Sequence, residues 1–274
     1  MKENNFVAKT EWDESKTLKI LCIGNSFSDD TTKYLGYISS ELGAKNFSYG
    51  NLYIPGCTLK THYENAMGDL GKYEYRTTKD GDWTTVPESK LSTALKDEDW
   101  DYISFQQQSG TSGKPETYVY LNDLIEYVKG FCPDATLLWN MTWAYQSDST
   151  HSQFEYYGKN QLNMYNAITS TTKELIATDK RFTYISPVGT AIQNMRTSFV
   201  GDTVTRDGFH LSFNIGRFIA ALTFFKTITG KSIDDVKFRP REFDEATINP
   251  IIESVNNAIE NPFEITKSTY TKRP

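Results

Sequence analysis

Short apolar runs alternate along the chain with longer amphipathic stretches, the pattern of a parallel β-sheet with helices on both faces. The runs Leu18 to Ile23, Phe47 to Ile54, Tyr102 to Gln106, Thr136 to Thr142 and Phe182 to Ser186 predict five strands, enough for a flavodoxin-like sheet. The spacing between and after them predicts helices over about Thr31 to Leu42, Thr61 to Leu70, Glu116 to Phe131, Lys159 to Thr178, Pro187 to Thr197, Phe213 to Thr229 and Glu245 to Glu260. Pro187 reads as a first-turn proline. From Lys72 to Val86 the pattern changes: Tyr73-Glu74-Tyr75-Arg76-Thr77-Thr78 and Asp82-Trp83-Thr84-Thr85-Val86 flank Lys79-Asp80-Gly81, which predicts a β-hairpin. The expectation is one α/β domain over residues 1–274, with an N-terminal extension at 1–16 and a hairpin insertion at about 72–86. The hairpin either roofs the active-site edge, with Trp83 as a substrate contact, or decorates the surface.

In an open parallel sheet ligands bind at the carboxyl ends of the strands, so the segments leaving those ends are where chemistry collects. Three ends are unusual: Gly24-Asn25-Ser26, Pro55-Gly56-Cys57 and Gln106-Gln107-Gln108-Ser109-Gly110. Gly24 permits a tight exit, after which Ser26 can supply both a nucleophilic hydroxyl and a backbone N–H donor to an oxyanion. Taken alone, a serine at this position is more often an ordinary helix cap than a nucleophile. Gly56 offers an N–H with no side chain to obstruct it, and Gln106 or Gln108 can offer an amide as a further oxyanion donor.

A base for Ser26 must come from three histidines, His62, His151 and His210. His151 lies in the polar run Ser147-Asp148-Ser149-Thr150-His151-Ser152 and reads as a solvated or substrate-edge residue. His62 opens a helix and reads as a surface group or one behind the site; pairing it with Cys57 leaves a metal site short of ligands. His210 follows Asp207 by three residues, close enough for a turn to set the carboxylate on one imidazole nitrogen while the other faces Ser26. The plainer alternative is that Asp207 caps a turn and His210 packs against the next helix.

Composition narrows the classes. With 29 basic and 35 acidic residues the net charge is −6 and no basic run appears, which excludes nucleic acid as the expected partner and disfavours polyanionic substrates. No apolar stretch is long enough to span a bilayer, and Met1-Lys2-Glu3-Asn4-Asn5 is not a signal peptide. A soluble protein is expected, secreted or periplasmic only if a leader has been removed. Cys22, Cys57 and Cys132 form neither a disulfide framework nor a zinc ribbon. Aromatics reach 14 % of the chain, compatible with sugar-stacking surfaces and equally with core packing. Asn46-Phe47-Ser48 and Asn140-Met141-Thr142 match the glycosylation sequon, although Asn140 falls in a predicted strand.

The blocks Gly24-Asn25-Ser26-Phe27-Ser28, Gly56 and Asp207-x-x-His210 resemble those of the SGNH or GDSL hydrolase superfamily, and within it a branch whose first block reads Gly-Asn-Ser-Phe-Ser (DUF4886-like). The similarity spans nearly the whole chain. It implies a three-layer α/β/α sandwich without cofactor or metal, with Ser26 as nucleophile, Gly56 in the oxyanion hole, and Asp207 and His210 completing the machinery. The chain departs from the pattern twice. Gly-Asp-Ser has become Gly24-Asn25-Ser26, and the third block, Gly-x-Asn-Asp, is replaced by the glutamine run, with Gln106 or Gln108 as substitute donor.

The resemblance further implies an acyl-enzyme on Ser26 released by water. Superfamily members act on acetylated sugars, lipids, thioesters and other acyl groups. The aromatic content and hairpin direct the expectation toward O-acyl esters, chiefly acetyl, on a carbohydrate or other small molecule, and a long-chain lipase would need a more apolar lid. An α/β-hydrolase is disfavoured because Gly-x-Ser-x-Gly lacks its last glycine here. The alternative from another class is a non-catalytic carbohydrate-binding or scaffold protein that keeps the fold. A nucleotide-binding protein would need a glycine-rich loop that the chain does not have.

Overall fold

The computed structural model of the chain describes residues 6–274; Met1 to Asn5, part of the expected extension, lie outside the described residues. Five strands form the parallel core of the sheet: β1 (Leu18–Gly24), β2 (Phe47–Tyr53), β5 (Tyr102–Phe105), β6 (Thr136–Asn140) and β7 (Phe182–Ser186). The predicted hairpin is β3 (Tyr73–Thr78) and β4 (Thr84–Ser89), which continues the same sheet antiparallel beyond β2. The order is β4-β3-β2-β1-β5-β6-β7, so the parallel part has the expected flavodoxin-like arrangement.

Strand β1 is central, covered on both faces, and for that reason reads as a nearly unbroken apolar run; Leu18, Ile20, Leu21, Cys22 and Ile23 are all buried. Burying each of the larger ones stabilises the fold by roughly 1.5–3 kcal/mol. At the far edge, β4 is exposed along most of its length and carries Pro87 and Glu88, which blunt an edge that could otherwise pair with another chain.

Helices α1 (Ser26–Thr32), α2 (Leu35–Glu41), α7 (Val188–Met195), α8 (Ile215–Thr229) and α9 (Ile248–Glu260) pack together on one face. Helices α3 (Leu59–Met67), α4 (Leu91–Leu95) and α5 (Leu121–Phe131) pack on the other. Helix α6 (Gln161–Thr171) leads to β7 through a π turn at Thr172–Ile176. The stretch expected as one helix over Thr31 to Leu42 is two, broken around Tyr34, and α4 had no clear pattern to announce it. Pro187 caps α7 rather than occupying its first turn. Helix α8 is almost wholly buried, and the N-terminal extension covers its end through Ala8 N to Thr227 O and Trp12 N to Thr229 O, both 2.8 Å. Among the described residues no helix is long and apolar enough to cross a membrane.

Half of the aromatics are buried in the core, including the fully buried Trp139, Trp143, Tyr49, Tyr73 and Tyr145. All three cysteines are buried and free. Asn140, the second residue carrying a sequon, is buried at the end of β6.

Strand pairing fixes where the hairpin points. Tyr53 pairs with Glu74 and Tyr49 with Thr78, so the turn after Thr78 lies at the start of β2, the end of the sheet away from Gly24 and Ser26. The hairpin therefore does not roof the strand ends, and Trp83 packs against the core at the opposite edge.

A buried and an exposed glycine separate forbidden from tolerated methyl groups. A Cβ on Gly189 would lie 2.2 Å from the Thr142 carbonyl oxygen, where α7 meets the chain leaving β6, whereas a Cβ on Gly130 in α5 would meet nothing. Gly189→Ala is expected to lower stability by about 1–3 kcal/mol and Gly130→Ala to raise it by about 0.5–1 kcal/mol. Thermal unfolding of the two variants beside wild type checks both signs.

Candidate active site

The carboxyl ends of β1, β2, β5, β6 and β7 align at one edge, through Gly24 opposite Tyr53, Ile23 opposite Phe105, Phe105 opposite Trp139 and Asn140 opposite Ser186. At the first end, Gly24 is required sterically: a Cβ there would fall 2.3 Å from Ser28 Oγ. The cap of α1 is Asn25, not Ser26. Asn25 Oδ1 accepts from Phe27 N at 2.9 Å and Ser28 Oγ accepts from Asn25 N at 3.1 Å, a reciprocal capping box. Ser26 is thus the first helical residue, with its hydroxyl released from capping and its N–H among those a helix start leaves without an intrahelical acceptor.

Chain segments distant in sequence converge on that hydroxyl. His210 Nε2 lies 2.9 Å from Ser26 Oγ, and His210 Nδ1 lies 2.7 Å from Asp207 Oδ2. A carboxylate only accepts, so the proton sits on Nδ1 and leaves Nε2 as acceptor toward the serine. The other oxygen of Asp207 accepts from His210 N at 2.8 Å and Phe209 N at 3.2 Å. Partial burial acts to raise the Asp207 pKa, but the bonds from the His210 ring and amide, the His210 charge and the Phe209 amide together bring it below the ordinary carboxylate value.

The loop that carries this pair is closed by the bridge between Thr205 and Leu211 and by Arg206 N to His210 O at 2.9 Å. Gly208 sits at φ +88°, and a Cβ there would press on Ser149, so only glycine fits. Trp143 Nε1 donates to Phe209 O at 2.7 Å, and its ring stacks on Phe27, 4.1 Å between centroids. Beneath, the buried Asp30 of α1 accepts from Arg206 Nη1 at 3.0 Å, Arg217 Nε at 2.7 Å and the Leu211 amide at 2.9 Å.

At the second end, Ile54-Pro55-Gly56-Cys57 is a β-turn closed by Cys57 N to Ile54 O at 3.2 Å, with Gly56 at φ +62°. Proline then a left-handed glycine is the type II signature, and Gly56 N–H takes no part in the turn's own bond. The Cys57 carbonyl accepts from Asn25 Nδ2 at 3.0 Å, stitching this turn to the first one.

At the third end the glutamines have separate tasks. Gln106 is buried below the cleft and does not line it: Nε2 donates to Asn25 Oδ1 at 2.8 Å and Oε1 accepts from Asn140 Nδ2 at 3.3 Å, so of the two glutamines expected as substitute donors this one is engaged in the framework. Gln107 Oε1 accepts from Leu59 N and Gln108 N. Gln108 lines the cleft, with Nε2 donating one hydrogen to Gln153 Oε1 at 2.7 Å.

A cleft of about 340 Å³ is bounded by Asn25, Ser26, Phe27, Tyr53, Pro55, Gly56, Gln108, Ser109, His151, Phe209 and His210. A larger cavity, about 640 Å³, opens at the opposite edge between Trp12, Trp100 and Pro133, away from these groups. Tyr53 is backed by the Arg76 guanidinium 3.8 Å from its ring centroid, and Arg76 is held by Asp29 at 2.9 Å, which is what the hairpin contributes here. His62 is not a surface group. It is buried against Tyr73, with Nδ1 3.0 Å from the phenol oxygen, and burial drops its pKa to about 3, which keeps it neutral. Sequence reasoning passed over Asp30, Arg206, Arg217, Trp143 and Tyr53. Asp30, an acid one turn after Ser26, and Arg206, directly before Asp207, were the available signals.

The order of strands and the chemistry gathered at their carboxyl ends define an SGNH-like α/β fold with a mostly parallel mixed sheet and one antiparallel hairpin. Residues 19–253 match the family described as "Domain of unknown function (DUF4886)", and the chain belongs to that family. A DUF4886 family protein from Bacteroides uniformis is 37 % identical, with 94 % of this chain and 100 % of that one covered at a TM-score of 0.88. A protein from Parabacteroides merdae provisionally named a GDSL-like lipase is 14 % identical, covering 78 % and 95 % at a TM-score of 0.51. A variant of a Geobacillus acetyl-xylooligosaccharide esterase is 11 % identical, covering 77 % and 93 % at 0.50. No curated protein matches the chain.

The framework bonds predict two stability losses. Asn25→Asp keeps both acceptor bonds but sets a carboxylate oxygen against the Cys57 carbonyl, and should cost about 1–3 kcal/mol at neutral pH. Asp30→Ala leaves two guanidinium groups without their buried partner, and should cost roughly 3–5 kcal/mol. Urea titrations of both variants provide the check; a loss under about 1 kcal/mol for Asp30→Ala would mean the loop is held by other contacts.

Proposed function

We propose that the chain is a serine esterase that cleaves O-acyl, chiefly acetyl, esters of carbohydrate or polyol alcohols. The observation that carries this reading is the relay from Ser26 Oγ to His210 Nε2 at 2.9 Å and from His210 Nδ1 to Asp207 at 2.7 Å, opening into a cleft at the carboxyl edge of the sheet. Ser26 Oγ attacks the acyl carbon while His210 Nε2 takes its proton; the carbonyl oxygen becomes an oxyanion facing the N–H groups of Ser26 and Gly56. The second hydrogen of Gln108 Nε2 supplies the third donor, in place of the asparagine of the usual third block. His210 then returns the proton to the leaving alcohol, and water repeats the sequence on the acyl-enzyme. Asp207 holds the tautomer and stabilises the imidazolium without itself taking the proton.

The modest cleft supports a short acyl group. Tyr53, with one face occupied by Arg76, supports an alcohol part that can pack on an aromatic ring. The fold shared with an acetyl-xylooligosaccharide esterase is compatible with this class, although fold alone does not carry function. A second reading, a binding protein without turnover, draws on one observation: the Gln108 amide already donates to Gln153, so the third donor has a competitor.

Purified protein is expected to hydrolyse p-nitrophenyl acetate faster than the octanoate, and Ser26→Ala to reduce the rate to background. Asp207→Asn should fold normally and lose ~10⁴-fold in kcat, and His210→Ala at least as much. Labelling by an organophosphonate, read by mass spectrometry, should fall on Ser26. Equal rates for wild type and Ser26→Ala would favour the binding protein.

A further inference from the structure

His151 occupies a place in the cleft that the relay does not use. The chain leaving β6 returns over the strand ends and brings His151 to the start of the 3₁₀ turn Ser152–Tyr157, where Nδ1 accepts from Gln153 N at 3.2 Å. A backbone N–H can only donate, so Nδ1 holds the lone pair and the neutral ring carries its proton on Nε2. Burial first, and then the nearby charge of His210, lower its pKa against the opposing pull of Asp207, which favours that neutral form. The ring is wedged between Tyr145, at 4.9 Å, and Phe209, at 4.7 Å, so its orientation is set by packing on both sides as well as by the cap.

The position of that wedge decides what it meets. Phe209 lies 4.2 Å from the His210 ring, so His151, Phe209 and His210 are consecutive along one wall of the cleft. In the esterase reading, on which this inference rests, the acyl oxygen turns to the N–H groups of Ser26 and Gly56, and the leaving alcohol departs on the side of His210, its proton donor. A donor next along the His210 wall therefore faces the alcohol part of the ester, not the acyl part.

We propose that His151 is a specificity-determining residue whose Nε2–H binds an oxygen of the alcohol moiety, selecting esters of alcohols that carry a further hydroxyl or ring oxygen over esters of simple alcohols. A site that offers a fixed, partly desolvated donor discriminates against a ligand that lacks the acceptor, because the donor is then left unpaired.

Two substitutions separate this role from capping. His151→Asn keeps an acceptor for the Gln153 amide, since Asn caps well, but has nothing at the place of Nε2. His151→Gln carries an amide N–H about as far as Nε2 and gives up the cap. The measurement is kcat/KM for glyceryl monoacetate divided by that for ethyl acetate, with the melting temperature of each protein. Wild type should favour the monoacetate. His151→Asn keeps the cap but gives up the ring's packing on Tyr145 and Phe209, and should melt between wild type and His151→Gln and lose about tenfold in the ratio, mainly through KM. His151→Gln should melt lower yet recover part of the ratio. A ratio unchanged in His151→Asn overturns the proposal, as does a ratio that follows melting temperature across the two variants. Binding of glyceryl monoacetate to Ser26→Ala, followed by ligand-observed NMR with and without His151→Asn, tests His151 apart from turnover. If wild type cleaves neither ester the esterase reading fails, and the binding comparison still decides: about tenfold weaker binding supports the assignment, and equal binding overturns it.

Discussion

The buried carboxylate of Asp30 is the point on which the site depends. It stands one helical turn after Ser26 and takes hydrogen bonds from Arg206, Arg217 and the Leu211 amide, so the helix that presents the hydroxyl also holds the loop that presents the imidazole. An isolated carboxylate this deep would be prohibitively costly, and it persists because its bonds come from two cations and a backbone donor. Arg206 is adjacent to Asp207, and Leu211 to His210. A shift of α1 relative to the loop that changed the 2.9 Å separation of Ser26 and His210 would therefore have to strain or break the Asp30 bonds as well. The geometry between groups 184 residues apart is set underneath them, by a charge that touches neither.

The same principle governs the strand ends. Asn25 caps α1, accepts from Gln106 and donates to the Cys57 carbonyl, a set that needs an amide because an ionised carboxylate has no hydrogen to give. The departure from Gly-Asp-Ser and the glutamine run after β5 are parts of one arrangement: Gln106 reaches back to Asn25 and sideways to Asn140, and Gln107 anchors the start of α3. These amides hold the turns bearing the Ser26 and Gly56 N–H groups, and in the proposed esterase that is the preorganisation an oxyanion hole requires.

This explains what could be read from the sequence and what could not. The parallel strands were legible because the inner ones, β1, β5 and β6, are buried almost throughout and read as short, largely apolar runs, with β2 and the edge strand β7 keeping shorter apolar patterns, and the hairpin because alternation and Asp80-Gly81 are local signals. The juxtaposition of Ser26 with Asp207 and His210 was legible because strand-end rules and chemistry act on residue types at fixed spacings. Which glutamine faces the cleft was not legible, since Gln106 and Gln108 are identical in type and differ only in which neighbours fold against them. The direction of the hairpin was missed for a similar reason: composition does not say whether β3 continues the sheet or leaves it. Asp30, in Ser28-Asp29-Asp30-Thr31, looks like a polar surface turn until its partners, some 180 residues on, are folded beside it.

The two sides of the cleft are built differently, and the difference bears on specificity. The side formed by the Gly56 turn and the start of α1, the acyl side of the proposed esterase, consists of backbone N–H groups held by buried amides, and offers few side chains to vary without dismantling the framework. The other side, where the proposed esterase would hold the alcohol, is made of the side chains of His151 and Phe209 on the returning loops and Tyr53 at the end of β2, whose rings are held by packing more than by shared hydrogen bonds. In the proposed esterase, discrimination by the acyl group would be confined to size. Discrimination by the alcohol could be tuned one side chain at a time, because the bonds that position Ser26 and His210 run underneath these rings.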